Sequence, residues 1–146
     1  MYSQLNFKQI SILIARFALF IIYFWFGILK VVGQSPASPM VNTLLSKIMP
    51  FIPFDLFIVL FGLFEILIGI LFIIPNKERL AIILFFIHMF TTTLPLFIMR
   101  DFIWTHMFVP TLEGQYIIKN IALIACVLNI WSTLPIKREE NSVTIN

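Results

Sequence analysis

The sequence is short of charge, cysteine and histidine. Asp, Glu, Lys and Arg make up only 12% of its 146 residues, whereas 60% are hydrophobic. Soluble domains carry about 25% charged and about 45–50% apolar residues. A chain this small cannot hide so much apolar surface in its own core, so lipid is its natural solvent. The single cysteine, Cys126, excludes an internal disulfide, a Cys-x-x-Cys redox pair and a cysteine-based zinc site. It reads as a small apolar core residue. The two histidines, His88 and His106, fall in mid-span and in a loop, too far apart to ligate one haem iron. No histidine and carboxylate cluster has metal-ligand spacing, so no metal is expected. There is no phosphate-cradling glycine motif and no Ser, His and Asp grouping for hydrolysis. The net charge of +3 comes without a dense basic cluster, which argues against nucleic acid as a partner.

What is present is long apolar runs. A helix crosses the hydrocarbon core in roughly 20 residues. Four segments reach that length: Ile10–Val32, Phe54–Ile74, Leu80–Met99 and Gln115–Leu134. The fold class expected is therefore all-α, a bundle of four transmembrane helices forming one domain over residues 1–136, with a polar tail at 137–146. The runs are apolar all round and lack the alternation of a membrane barrel. Punctuation agrees. Gly33, Pro36 and Pro39 end the first run, and Pro50 and Pro53 precede the second. Pro75-Asn76 and Lys77-Glu78-Arg79 make a tight polar turn, Arg100-Asp101 ends the third run, and Gly114 precedes the fourth. The first run contains Arg16 and no small-residue cleavage site follows it, so it reads as a retained span that also directs insertion.

An even number of spans puts both termini on one side with Lys8, Lys77, Arg79, Lys137 and Arg138, against Lys47 and Arg100 on the other. The positive-inside bias then places both termini in the cytoplasm, in a bacterial cytoplasmic (inner) membrane. Of the two outer loops, the first contains a short interfacial helix over Met40–Met49. The second carries Phe102, Trp104 and Phe108, rings suited to the headgroup zone.

Ionisable groups in lipid cost about 2.5–3.5 kcal/mol each on insertion scales, so they should face the bundle interior and find partners. Their spacing allows this. Arg16, Tyr23, Gly27 and Lys30 share one face of the first helix. In the second, Gly62 and Gly69 flank Glu65 and would let a neighbouring helix approach closely. His88, Thr91 or Thr92, and Pro95 share a face of the third. Lys119, Ala122, Cys126, Asn129 and Thr133 form a small and polar stripe on the fourth. The Phe residues are expected to face lipid, and the Thr91-Thr92-Thr93 run to satisfy carbonyls freed by Pro95.

At about 1.5 Å per residue, Glu65 and His88 fall within roughly 3 Å of the midplane, with Arg16 about 6 Å away in depth. The expected intramembrane cluster is an Arg16–Glu65 ion pair with His88 as third member. An outer-half cluster of Lys30 and Lys119 would be balanced by Glu113 or Asp101. Such pairs can merely fix helix register. A midplane histidine beside a carboxylate can also hydrogen-bond a quinone carbonyl and exchange protons.

The run R-F-A-L-F-I-I-Y-F-W-F-G-I-L-K at Arg16–Lys30 is followed by Ser35-Pro36, by Ser38-Pro39, by G-L-F-E-I-L-I-G at Gly62–Gly69 and by E-G-Q-Y-I-I-K-N at Glu113–Asn120. This order resembles the DoxX-like superfamily of four-helix membrane proteins, closest to its YkgB/RclC branch, over roughly residues 12–131. The first loop is shorter than in that branch. Relatives with paired cysteines do thiol chemistry that this chain cannot do alone. DoxX is the membrane subunit of a thiosulfate:quinone oxidoreductase, and other members are associated with reactive-chlorine resistance. The resemblance implies a redox or stress setting, and it matches Arg16, Lys30, Glu65 and Lys119 to recurring charged positions; His88 has no such match. The expected function is a subunit or accessory protein of a redox or oxidative-stress system, not an enzyme by itself. It would offer a polar intrabundle site to a small molecule or quinone, or a docking surface to a partner enzyme. Its partners would be the lipid bilayer, a redox enzyme and further copies of itself. The alternatives are a small transporter or proton pathway, and a structural scaffold.

Overall fold

A computed structural model describes residues 6–135. The polar tail, with Lys137 and Arg138, lies outside the described residues. The chain forms α1 (Phe7–Val31), α2 (Ser38–Ile48), α3 (Phe54–Ile73), α4 (Glu78–Thr93), α5 (Pro95–Ile98), α6 (Arg100–Ile103), β1 (Trp104–His106), β2 (Val109–Pro110) and α7 (Leu112–Trp131). Four helices are long and apolar enough to cross a membrane: α1, α3, α4 continued through α5, and α7. The protein is a multi-pass membrane protein whose apolar helices contact lipid.

Local chemistry explains the boundaries. Asn6 caps α1 through a reciprocal pair: Gln9 N–H donates to Asn6 Oδ1 and Asn6 N–H donates to Gln9 Oε1, both at 3.0 Å. This cap starts α1 at Phe7, earlier than the apolar run suggests. Gly33, at φ +71°, ends the turn after it. The α3–α4 turn places Asn76 at φ 63°, a conformation that asparagine tolerates. Thr111 Oγ1 accepts from Gly114 N–H and starts α7 three residues earlier than expected.

Pro95 divides the third span. The threonines before it donate to carbonyls one turn back, Thr91 to His88 and both Thr92 and Thr93 to Met89. The carbonyl of Thr91, which Pro95 cannot serve, takes Leu94 N–H instead. The loop between the first two spans folds as the expected short helix, α2. The loop between the last two contains a β1–β2 antiparallel hairpin that apolar patterning did not announce, with Trp104 opposite Pro110.

The main packing axis is α1 against α3. A Cβ on Gly27 would lie 2.6 Å from the Gly62 carbonyl oxygen and 2.9 Å from Ile66 N, and one on Gly62 would lie 2.7 Å from the Gly27 oxygen. The two backbones touch because neither residue has a side chain. This contact fixes the register and sets Glu65 beside the Gly27 turn. Toward the α3–α4 turn lies a dry core of completely buried Leu19, Ile68, Phe72, Ala81, Phe85 and Val127, drawn from all four spans. Phe72 and Phe85 correct the expectation that the phenylalanines face lipid; Phe17, Phe26 and Phe90 do face outward. A smaller cluster of Met99, Ile103 and Ile117 supports the opposite face under α2.

A buried polar network at the floor of an apolar cavity

Four side chains from three helices meet above the dry core. Lys30 of α1 donates to Glu65 Oε2 of α3 at 2.6 Å. His88 Nε2 of α4 lies 2.9 Å from Glu65 Oε1. Tyr23, about two turns from Lys30 along α1, places its hydroxyl 3.2 Å from His88 Nδ1. All four are buried. The assignment that satisfies every group has the imidazole neutral. Nε2–H then donates to the ionised carboxylate and Nδ1 accepts from the Tyr23 hydroxyl. Every donor in the chain thus points toward Glu65. The Tyr23 oxygen keeps its lone pairs and the Lys30 ammonium keeps two N–H groups. Aromatic packing fixes the imidazole. Phe61 stacks on it at 5.1 Å between centroids and Tyr23 meets it edge-on, also at 5.1 Å. Lys30 Nζ lies 5.7 Å from the Phe61 centroid, a cation–π contact.

The network is not packed shut. It forms the floor of a cavity of about 720 Å³, within the range of small-molecule sites. The walls are apolar, with Met40, Leu44 and Met89 among them. Asn120 and Glu113 of α7 add polar atoms to the wall. Phe26 of α1 and Leu112 and Tyr116 of α7 line the cavity and are also more than half exposed to the outside. The cavity therefore opens sideways toward lipid between these two helices, as well as toward the face that carries α2.

This arrangement corrects both expected clusters. Glu65 pairs with Lys30, not with Arg16. The Gly27–Gly62 contact puts Arg16 eleven residues, about 16 Å, along α1 from the level of Glu65. Assuming that all spans are centred alike underestimated that offset, because the glycine contact sets Glu65 level with Gly27, near the C-terminal end of α1, and not with its middle. Arg16 instead caps the end of α3. Its guanidinium donates to the carbonyls of Phe72 at 2.7 Å, Ile73 at 3.2 Å and Ile74 at 3.3 Å, and to Glu78 Oε1 at 2.6 Å. Its role is to satisfy a helix C-terminus and pin the α3–α4 turn.

The outer-half cluster does not assemble either. Lys30 reaches down to Glu65, and Glu113 lines the cavity wall. Lys119 is exposed, with Nζ 5.2 Å from the Tyr116 ring centroid. Amphipathic Lys and Tyr side chains commonly sit this way at an interface. The polar stripe of α7 is turned outward as well. Ala122 and Asn129 are exposed, Cys126 and Thr133 are half-buried, and the helix buries Gly114, Ile117, Val127 and Ile130 instead. Tyr23 and Asn120 are the site residues that spacing alone did not single out for chemistry. Tyr23 was visible as a member of the polar face of α1, whereas Asn120 carried no signal beyond its place beside Lys119.

Among the described residues no group of three or more His, Cys, Asp or Glu is placed to hold a metal ion. Comparison with family models, curated proteins and solved structures gives no match to this chain.

The Arg16 geometry makes a clear prediction. Arg16→Ala removes four charge-assisted hydrogen bonds at a partly buried site and should cost about 3 kcal/mol of stability. Arg16→Lys, which cannot reproduce the fork, should recover less than about half of that. Unfolding in nanodiscs measures both. Ligand binding in the cavity should be unaffected, since the dry core separates the two sites.

Proposed function

We propose that the chain is a ligand-holding membrane subunit, of the DoxX-like kind, in a bacterial redox or stress-defence system, and that the cavity takes a quinone-type molecule. One observation carries this reading. A buried, hydrogen-bonded polar network with donor and acceptor capacity to spare faces an open apolar space large enough for a ring, instead of being enclosed by side chains. An ion pair serving only to fix helix register has no need of that space.

The chemistry suits a ring with carbonyl oxygens. The free N–H groups of Lys30 can donate to a carbonyl, and the Tyr23 oxygen can accept from a ring hydroxyl. Both belong to a hydrogen-bonded chain that can pass a proton through His88 to Glu65. The apolar walls fit the ring body, and the gap at Phe26 and Tyr116 fits an apolar tail that remains in lipid. The chain's own part is to bind, orient and exchange protons with the ligand; electrons would come from a partner redox enzyme. Lys8, Lys77 and Arg79 on the side of the short turn, against Lys47 and Arg100 on the face with α2, favour a cytoplasmic turn and cytoplasmic termini.

Titration with a short-chain benzoquinone, followed by quenching of tryptophan fluorescence in nanodiscs, tests the reading. Saturable binding at one site is expected. Tyr23→Phe, which removes a hydroxyl and little volume, should weaken it about fivefold to tenfold. Quenching that never saturates, or an unchanged Tyr23→Phe titration, would sink the assignment.

A further inference from the structure

The two faces of the site are unlike. The cavity reaches the face that carries α2, where Ser35, Pro36 and Ala37 line it. On the other side the network ends against the dry core. Arg16 and Tyr23 are separated by seven residues of α1, and Glu65 and Phe72 by seven of α3, about 10 Å in each case. Leu19, Ile68, Phe72, Phe85 and Val127 fill that distance and are completely buried. Beyond them lies the Arg16–Glu78 ion pair. Among the described residues, no hydrogen bond or ion pair connects it to Tyr23, His88, Glu65 or Lys30. Native packing of this kind leaves no space for a file of water, and an isolated proton carrier within it would lack partners.

We propose that the network exchanges water and protons with one compartment only, the one facing α2 and the hairpin, so that the cavity is a one-sided site and not part of a transmembrane proton pathway. The titratable and charged groups around His88 are Tyr23 and Lys30 from α1, Glu65 from α3 and Glu113 from the cavity wall on α7. The part of α2 against the cavity contributes none. All of them lie on the open side of the seal. A ligand bound here therefore gives protons to, or takes them from, that compartment alone. The inference concerns the same cavity as the functional reading, but it rests on the cavity and its seal, whatever the ligand is.

Cysteine accessibility decides it without any ligand. In a Cys126→Ser background, Thr92→Cys and Asn120→Cys place thiols on the cavity wall, and Ile82→Cys places one in the seal, since Ile82 is buried in the same core cluster as Leu19 and Phe72. The probe is a positively charged, membrane-impermeant methanethiosulfonate, added to one face of vesicles whose protein orientation is known. Both cavity thiols should react at least about a hundredfold faster from the α2 face than from the turn face, and Ile82→Cys should react from neither. The unsubstituted protein should carry no proton flux above that of protein-free vesicles under a potassium diffusion potential. Labelling of either cavity thiol from the turn face, absence of labelling from both faces, or a protein-dependent proton flux would each overturn the proposal. If labelling is one-sided but no quinone binds, the access proposal stands and only the ligand assignment falls.

Discussion

Replacing Glu65 with leucine should cost about 3–5 kcal/mol and leave much of the protein unfolded or aggregated on extraction. The loss comes from what remains, not from the carboxylate itself. Lys30 keeps a buried ammonium with no counter-charge, and His88 loses the acceptor for Nε2–H. Glu65→Gln retains an acceptor and the shape but not the charge, so it should fall between Glu65→Leu and the unchanged protein. Lys30→Met combined with Glu65→Leu removes both charges together and should restore most of the stability. A residual deficit of about 1–2 kcal/mol is expected from the imidazole N–H left without a partner. Denaturant unfolding of the two single variants and the double variant in nanodiscs gives the coupling directly. Additive losses would show that Lys30 and Glu65 do not interact as described.

The second large effect is at the glycine contact. Gly62→Val puts branched carbon where the Gly27 carbonyl oxygen lies 2.7 Å from the first added atom. The nearest obstacle is backbone on a helix packed along its whole length, so it cannot swing aside as a side chain would. The helices must separate. Overpacking of a tight interface costs about 1–3 kcal/mol, and here the separation also pulls Lys30 away from Glu65. Gly62→Val should therefore exceed that range, while Gly33→Ala, in open space but at φ +71°, should cost only about 1 kcal/mol. Thermal unfolding of the two variants checks the ranking, and a mild Gly62→Val would mean that α1 and α3 are not in contact at these residues.

The parts of this structure that periodicity can report were legible. Spacings of four and three residues placed Tyr23, Gly27 and Lys30 on one buried face, and spacings of three and four placed Gly62, Glu65 and Gly69 on the face that meets it. Which cation meets Glu65 was not legible. That depends on the offset between two antiparallel helices, and the offset is set by a backbone contact between glycines, not by where each apolar run is centred. The same limit hid the role of Arg16. Nothing in its own helix shows that it faces the open carbonyls at the end of α3. In α7 the assumption that polar residues turn inward failed for a different reason. Lys119 reaches along the Tyr116 ring, and Asn129 lies only two residues from the end of the helix, so neither has to be buried to find polar surroundings. The inward face of α7 follows from Gly114, where a Cβ would meet Pro110 and Ile103, and its apolar neighbours carried no distinguishing pattern. His88 was visible as a midplane histidine, but the Tyr23 hydroxyl on its other nitrogen required the register.

The network is either a ligand site or only a brace between helices, and the folded Lys30→Met, Glu65→Leu double variant separates the two. The decisive measurement is its benzoquinone titration beside that of the unchanged protein. A stable double variant whose saturable binding is lost, with quenching reduced to the non-specific background, is the result predicted here. A stable double variant that binds the quinone as the unchanged protein does would contradict it and leave the buried charges a purely structural role.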